Sequence, residues 1–424
     1  MKKLFMLPLI AILLCTLVSC AQPVSSETLQ SEKPRVTSPN VNKSDISTLV
    51  EGSSAFAFGL YQALKDTDSN LFYSPYSISL ALAMTYAGAR GETEQQMADT
   101  LHFTLPQNQL HPAFNSLDIE LANRGEDAKG KDGKGFRLNI VNAIWGQKGF
   151  EFLPEFLDTL SQNYGAGLRL LDFISAPEES RIKINKWVSD QTEDRIKDLI
   201  PPNAIDSLTR LVLTNAIYFN AAWLYPFAEN ATQNEEFNLL NGDKVIIPMM
   251  KQTEMLSYTE GNGYQAVELP YDGNELSMVL LVPGNGLFKT FESSLDAKQA
   301  DAIIKDMEPR QVALTMPKFE FESELGLNKI LAWMGMPVAF SENADFSGMT
   351  GNRDLFISDV IHKAFISVDE AGTEAAAATA VIMQLTAMPA EPIEVIVDRP
   401  FIFLIRDIET GTILFVGRTL NPGS

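Results

Sequence analysis

Three histidines, His102, His111 and His362, are the only imidazoles this 424-residue chain offers for acid–base work. A hydrolase would need one of them to activate a hydroxyl or thiol nucleophile. No serine sits in a G-x-S-x-G elbow, and neither an H-E-x-x-H nor a dense histidine and aspartate cluster supplies metal-ligand spacing. The P-G-N-G run at Pro283–Gly286 is a turn, neither a phosphate cradle nor a dinucleotide fingerprint. His362 lies in V-I-H-K-A-F-I-S-V, an apolar strand pattern, where an imidazole is expected to be a core residue satisfied by hydrogen bonds. A triad assembled in space stays open, since triads are defined by geometry, but nothing in the spacing supports one. The sequence therefore implies no catalytic residue, no metal and no cofactor.

The two cysteines, Cys15 and Cys20, point to a different chemistry. Lys2 and Lys3 precede an apolar run from Leu4 to Val18 that is short for a membrane span and suits an export signal over residues 1–20. The run ends in L-V-S-C, with small Ser19 before Cys20, which resembles the bacterial lipobox. That resemblance implies cleavage at Cys20, lipidation of its sulfur, and a cell-envelope lipoprotein facing the periplasm or cell surface. As an ordinary secretory signal the same stretch would be removed and Cys20 would be incidental. Either way the mature chain has no internal disulfide and must be held by burial, for which 45% hydrophobic composition suffices. A net charge of -21 and the lack of a basic helical face exclude nucleic acid and offer no polyanion site.

The elements that would position any site follow from periodicity. Residues 21–45 are rich in Ser, Pro, Thr, Gln and Asn and read as a flexible tether. Helical spacing starts near Ile46 and runs through Phe56, Leu60 and Leu64. A second helix starts after Ser74 and Pro75 and is apolar nearly all round, hence buried. R-L-N-I-V-N-A-I-W and L-V-L-T-N-A-I-Y-F read as buried strands, with a helical pattern between them that Pro201 and Pro202 stop. From Phe237 the chain is mostly strand and turn, including E-L-S-M-V-L-L-V-P and R-P-F-I-F-L-I-R. Helices first and strands later, without repeats or a second linker, indicate one α+β domain over residues 46–424.

One segment fits no single element. D-E-A-G-T-E-A-A-A-A-T-A-V-I-M-Q-L-T-A-M-P, from Asp369 to Pro389, mixes the best helix former with β-branched residues and punctuators. Its first part lies in H-K-A-F-I-S-V-D-E-A-G-T-E-A-A-A-A-T-A at His362–Ala380, and this run, with N-L-F-Y-S-P-Y-S-I-S-L-A-L-A-M at Asn70–Met84, L-T-N-A-I-Y-F-N-A-A-W at Leu213–Trp223, I-P-M-M-K near Pro248, A-D-F-S-G-M-T at Ala344–Thr350 and R-P-F-I-F-L-I-R-D near the end, resembles the serpin family. The matches occur in family order from about Ile46 to Pro422. The resemblance implies a three-sheet domain, monomeric, with an exposed reactive loop over about residues 370–398. Such a loop is attacked by a target protease, held as an acyl ester, and inserted as a new strand into the main sheet.

The resemblance also assigns residues. Ser74, Ser77, Asn215 and His362 match the shutter beneath the middle of the sheet. Trp223, Lys318 and Glu370 match the breach at its top, with Lys318 and Glu370 as an ion pair. Glu370, Gly372, Thr373, Glu374, Ala375, Ala376, Ala377 and Ala378 match the hinge. Alternation turns Thr373, Ala375, Ala377, Thr379, Val381 and Met383 inward once the segment is a strand. Sixteen positions beyond Glu370 lies Thr386, so Thr386-Ala387 is the implied reactive bond. The far side of the loop is about three residues longer than the commonest length, which keeps Leu385, Ala387 and Met388 as alternative baits. These residue types suit elastase-like, subtilisin-like or chymotrypsin-like proteases, or papain-like cysteine proteases, and not trypsin-like ones. A non-inhibitory binding protein on the same fold is the alternative.

Overall fold

A computed structural model describes residues 27–125, 128, 137–373 and 391–423. Cys20, the hinge from Glu374 through Ala378, and the implied bond region of Leu385, Thr386, Ala387 and Met388 lie outside the described residues. The first half of the chain forms β1 (Glu27–Leu29), α1 (Lys43–Leu64), β2 (Leu71–Tyr73), α2 (Pro75–Tyr86), α3 (Gly91–Leu101), α4 (Gln107–Ala122), β3 (Arg137–Gln147), α5 (Pro154–Tyr164), β4 (Leu168–Leu171), α6 (Pro177–Gln191) and β5 (Leu211–Ala222). Then come β6 (Gln233–Asn238), β7 (Lys244–Gly261), β8 (Tyr264–Pro270), β9 (Leu276–Pro283), α7 (Phe288–Ser294), α8 (Ala297–Lys305), β10 (Glu308–Pro317) and β11 (Phe319–Gly326). The chain closes with α9 (Asn328–Met334), α10 (Ser347–Thr350), β12 (Asp359–Val368), β13 (Gly372–Thr373), β14 (Ile393–Ile396), β15 (Phe401–Asp407) and β16 (Ile413–Thr419).

A seven-stranded sheet runs β1-β4-β3-β5-β13-β12-β11. The second and third expected sheets share one ladder, β14-β10-β7-β8-β9-β15-β16-β2 with β6 on β7, because the 18-residue β7 pairs with β10 over one stretch and with β8 over another. As expected, α2 is buried on every residue: it lies between the two sheets against β3, β5 and β16. Ser74 caps it by accepting the Ser77 N–H at 3.1 Å, and Pro75 occupies the first helical position, where its missing N–H costs nothing.

Two expectations are corrected. The tether was to run to residue 45, yet residues 27–42 are docked on the domain. Glu27–Leu29 pair with the edge strand β4, Lys33 bonds Asp158 at 2.7 Å, and Arg35 reaches Asn115 at 2.8 Å and Asp118 at 2.5 Å. Composition showed too little apolar surface for folding, but this segment is held by the unpaired backbone of an edge strand and by charge-assisted bonds. The second correction is at α6, which stops at Gln191, ten residues before Pro201. Glu193, Asp194 and Asp198 take left-handed backbone angles, and Asn185 bonds both the N–H and the carbonyl of Ile200 at 2.8 and 2.9 Å. Ile196, Leu199 and Ile200 are buried all the same, so the apolar spacing that mimicked a longer helix belongs to a segment folded back against it.

Among the described residues no helix is long and apolar enough to cross a membrane, and no group of three His, Cys, Asp or Glu could hold a metal ion.

Candidate functional site

The site is a seam. From Asp359↔Val212 to Phe365↔Tyr218, β12 pairs directly with β5 in parallel. Beyond that point the two strands part and β13 lies between them, antiparallel to both: Thr373 faces Val368 on one side and Ala221 on the other, and Gly372 faces Ala222. Two parallel neighbours that each accept the same antiparallel strand are arranged like a sheet with one strand left out. The first two residues of that strand are already in place.

The closed lower part is fastened by a polar cluster on which all four expected shutter residues converge. His362 and Asn215 are register partners across the seam, and Asn215 is in turn the partner of Asn142 on β3. The Ser74 N–H donates to His362 Nε2 at 3.2 Å, so the imidazole proton is on Nδ1 and is donated to Asn215 Oδ1. The Asn215 amide donates to Ser77 Oγ and to Asn142 Oδ1, and the Ser77 hydroxyl also donates to Asn142 Oδ1 at 3.2 Å. Each member of this buried cluster satisfies another, which is the condition for a polar network to stabilise a core. Asn142 was missed in the sequence. Its only signal was an amide interrupting the apolar run I-V-N-A-I-W.

Burial holds the His362 imidazole neutral, with its pKa pushed down to about 3. Burial and the nearby Arg90 charge push that of His111 down to about 4. Both histidines ionise near 6.5 when unfolded. Below that pH the unfolded chain binds protons that the native chain does not, so these groups cost no stability above pH 6.5 and destabilise progressively as pH falls toward 4. The expected slope is roughly 1.4 kcal/mol per pH unit for each histidine. His362→Ala should make the urea midpoint less steep in pH by that single-histidine amount. It also leaves the Ser74 N–H and Asn215 Oδ1 unpaired, at about 1 to 3 kcal/mol each, so the variant should also melt at a lower temperature at pH 7. An unchanged pH slope together with an unchanged melting temperature would remove His362 from the seam's fastening.

At the split upper end the expected breach residues also meet. Lys318 Nζ is 2.7 Å from Glu370 Oε2, and the Thr232 hydroxyl donates to Glu370 Oε1 at 2.7 Å. Burial works to raise the Glu370 pKa, but the bonds from Lys318 and Thr232 outweigh it and hold the carboxyl below its ordinary value. The Trp223 indole N–H donates to the Asp369 carbonyl at 3.0 Å and its backbone N–H to Ala371 at 2.9 Å. The Asp369 carboxylate accepts the N–H groups of Ala371 and Gly372, forming the turn that aims β13 into the split. Gly372 is needed here for space: a Cβ would lie 2.2 Å from the Ala221 carbonyl oxygen and 2.7 Å from Ala222 Cα. Thr373 is only 1% exposed, which agrees with its expected inward face, and its hydroxyl bonds Tyr271 Oη at 2.8 Å. The Tyr271 ring stacks on Trp223 with centroids 4.6 Å apart and planes 8° off parallel. Tyr271 was missed as well, because L-P-Y-D-G reads only as a strand end and turn.

An α+β scaffold in which the segment after β12 starts a strand between two diverging neighbours of the main sheet defines a class of protein. The chain belongs to the serpin family: the family model described as Serpin (serine protease inhibitor) matches residues 51–422. It is 43% identical over 376 residues to an uncharacterized serpin-like protein of Thermococcus kodakarensis, covering 88% of this chain and 86% of that one. It is 39% identical over 388 residues to the leukocyte elastase inhibitor of Homo sapiens, covering 88% and 99%. Among solved structures it resembles the thermophilic serpin tengpin in its native state, with a TM-score of 0.82 and 29% identity over 94% of this chain and all of that one. Uncleaved ovalbumin matches with a TM-score of 0.78 and 26% identity over 88% of this chain.

Proposed function

We propose that this protein is a suicide inhibitor of proteases that prefer small or medium apolar residues. The observation that carries this reading is the placement of Gly372 and Thr373 as an antiparallel strand inside the split between β5 and β12. In the reaction the protease nucleophile bonds to the carbonyl carbon at Thr386, or at a neighbour from Leu385 to Met388, the peptide C–N bond breaks, and the leaving amine takes a proton. The cut frees the hinge side of the loop to follow Thr373 down the seam with the acylated enzyme attached. Insertion has a thermodynamic direction, since it replaces one slanted parallel ladder by two antiparallel ones. Small side chains at Ala375, Ala376, Ala377 and Ala378 and the absence of proline there suit entry between packed strands.

Incubation with elastase, subtilisin, chymotrypsin and papain tests the reading directly. A covalent complex that survives a denaturing gel is expected with at least one, with the released C-terminal fragment starting between 386 and 389. Clean cleavage in the loop by these enzymes without any covalent complex would favour the non-inhibitory alternative.

A further inference from the structure

The docked N-terminal segment changes what a lipid on Cys20 would do. Residues 27–36 form a strap along one side of the domain. Besides the β1–β4 ladder, Ser31 Oγ and Lys33 Nζ bond Asp158 at 2.5 and 2.7 Å, the Ser161 hydroxyl donates to the Lys33 carbonyl at 2.6 Å, and the Val36 N–H donates to the Gln162 carbonyl at 2.9 Å. Gly167 leaves space for the strap, since a Cβ there would lie 2.8 Å from both the Leu29 carbonyl oxygen and Thr28 Cγ2.

Register shows where the strap begins. Glu27 pairs with Leu170, Leu170 with Gly146 and Gly146 with Leu211, one row across four strands at the lower end of the main sheet. Gly372 enters the split opposite Ala222, eleven residues further along β5, or about 36 Å at the rise of a strand. Because β4 runs parallel to β3, toward the lower end, and β1 runs antiparallel to β4, the backbone traced back to Glu27 is heading out of that lower end.

Two large apolar side chains are exposed at the same pole. Leu208, 69% exposed, lies three residues before β5, and Ile174, 48% exposed, donates its N–H at 3.1 Å to Gln147, the last residue of β3. Such side chains suit the boundary between lipid headgroups and acyl chains. Six residues separate Cys20 from Glu27, and that length of chain reaches at most about 25 Å. A tether running to residue 45 would reach roughly 85 Å and leave every orientation open. A net charge of -21 gives the domain no attraction of its own to anionic lipid, so the anchor has to supply the attachment.

We propose that this protein faces a lipid bilayer with the pole that carries Leu208 and Ile174, held there through lipidated Cys20, and presents the start of its reactive loop at the opposite pole, to proteases arriving from the medium. The orientation rests on lipidation of Cys20 and not on the trap, so the two proposals fail separately.

Full-length lipidated protein in vesicles of phosphatidylethanolamine and phosphatidylglycerol tests it. Signal cleavage removes Cys15 and lipidation uses Cys20, so a single introduced cysteine can carry a fluorophore: Leu208→Cys at the lower pole, or Tyr225→Cys at an exposed position two residues beyond Trp223. Energy transfer to an acceptor on the lipid headgroups should be severalfold stronger from position 208 than from position 225. Gly167→Val combined with Asp158→Ala should free the strap as far as Arg35, extend the reach to roughly 50 Å, and erase most of that difference. Cys20→Ala should take up no labelled palmitate and stay off the vesicles, whereas the parent takes it up. Absence of palmitate from the parent, equal transfer from the two positions, or a difference that survives release of the strap would each overturn the proposal.

Discussion

Thr373→Arg is expected to turn this protein from an inhibitor into a substrate. The threonine is buried between β5 and β12, and its hydroxyl is held by Tyr271. An arginine there would place a cation in the sheet interior, where the nearby Glu370 carboxylate is already engaged by Lys318 and Thr232. An unpaired buried charge costs several kcal/mol, so the hinge would leave the split and re-enter only against that penalty. A barrier raised by about 3 kcal/mol slows insertion roughly a hundredfold, which lets hydrolysis of the acyl ester win. Recognition should survive, because Thr373 is thirteen residues from Thr386. The measurement is the ratio of covalent complex to cleaved inhibitor at fixed protease, with Thr373→Ser as the control that keeps the bond to Tyr271. Equal trapping by the arginine variant and the parent would mean that strand insertion is not what holds the enzyme.

Cutting the loop without trapping a protease should raise the melting temperature sharply. The seam below Thr373 is one parallel ladder of seven paired residues, and an inserted strand would give antiparallel bonding on both of its sides. Alternation would also bury Val381 and Met383 in the core, each contributing about 1.5 to 3 kcal/mol. At roughly 2 to 4 °C per kcal/mol these two side chains alone correspond to about 10 °C, before the added ladder bonds are counted. Calorimetry on intact protein and on protein nicked near residue 386 reads this out. Identical transitions would falsify the stored-energy account and leave a static binding protein.

The shutter and breach were legible in the sequence through the family resemblance, which matched Ser74, Ser77, Asn215 and His362 to one and Trp223, Lys318 and Glu370 to the other. Ser74, Ser77, Asn215 and His362 stand out as polar residues inside apolar runs, and a buried polar group has to find a partner. Local composition said only that a buried imidazole such as His362 needs hydrogen-bond partners; that Asn215 and the Ser74 and Ser77 region supply them was implied by the resemblance. Asn142 entered only because the antiparallel register of β3 on β5 sets it opposite Asn215. Tyr271 entered only because the end of β8 brings its ring onto Trp223, which places its hydroxyl against Thr373. Neither relation has a signature in local composition.

Local sequence determined what local physics controls. The cap and proline at Ser74 and Pro75 start α2, its all-apolar pattern buries it, and the run of small residues after Gly372 is what the proposed insertion would require. Tertiary structure decided what depends on neighbours distant in the chain. Residues 27–42 looked like a tether because their apolar content is low, but β4 offered an open edge and Asp118 and Asp158 offered charges, so they docked. The spacing after Gln191 looked helical because Ile196, Leu199 and Ile200 are buried at helix-like intervals, but Asn185 captured the backbone of Ile200 and turned the chain back. The split itself, closed from Asp359 to Phe365 and open around Thr373, is a property of two strands separated by more than 130 residues; only their packing together could reveal it.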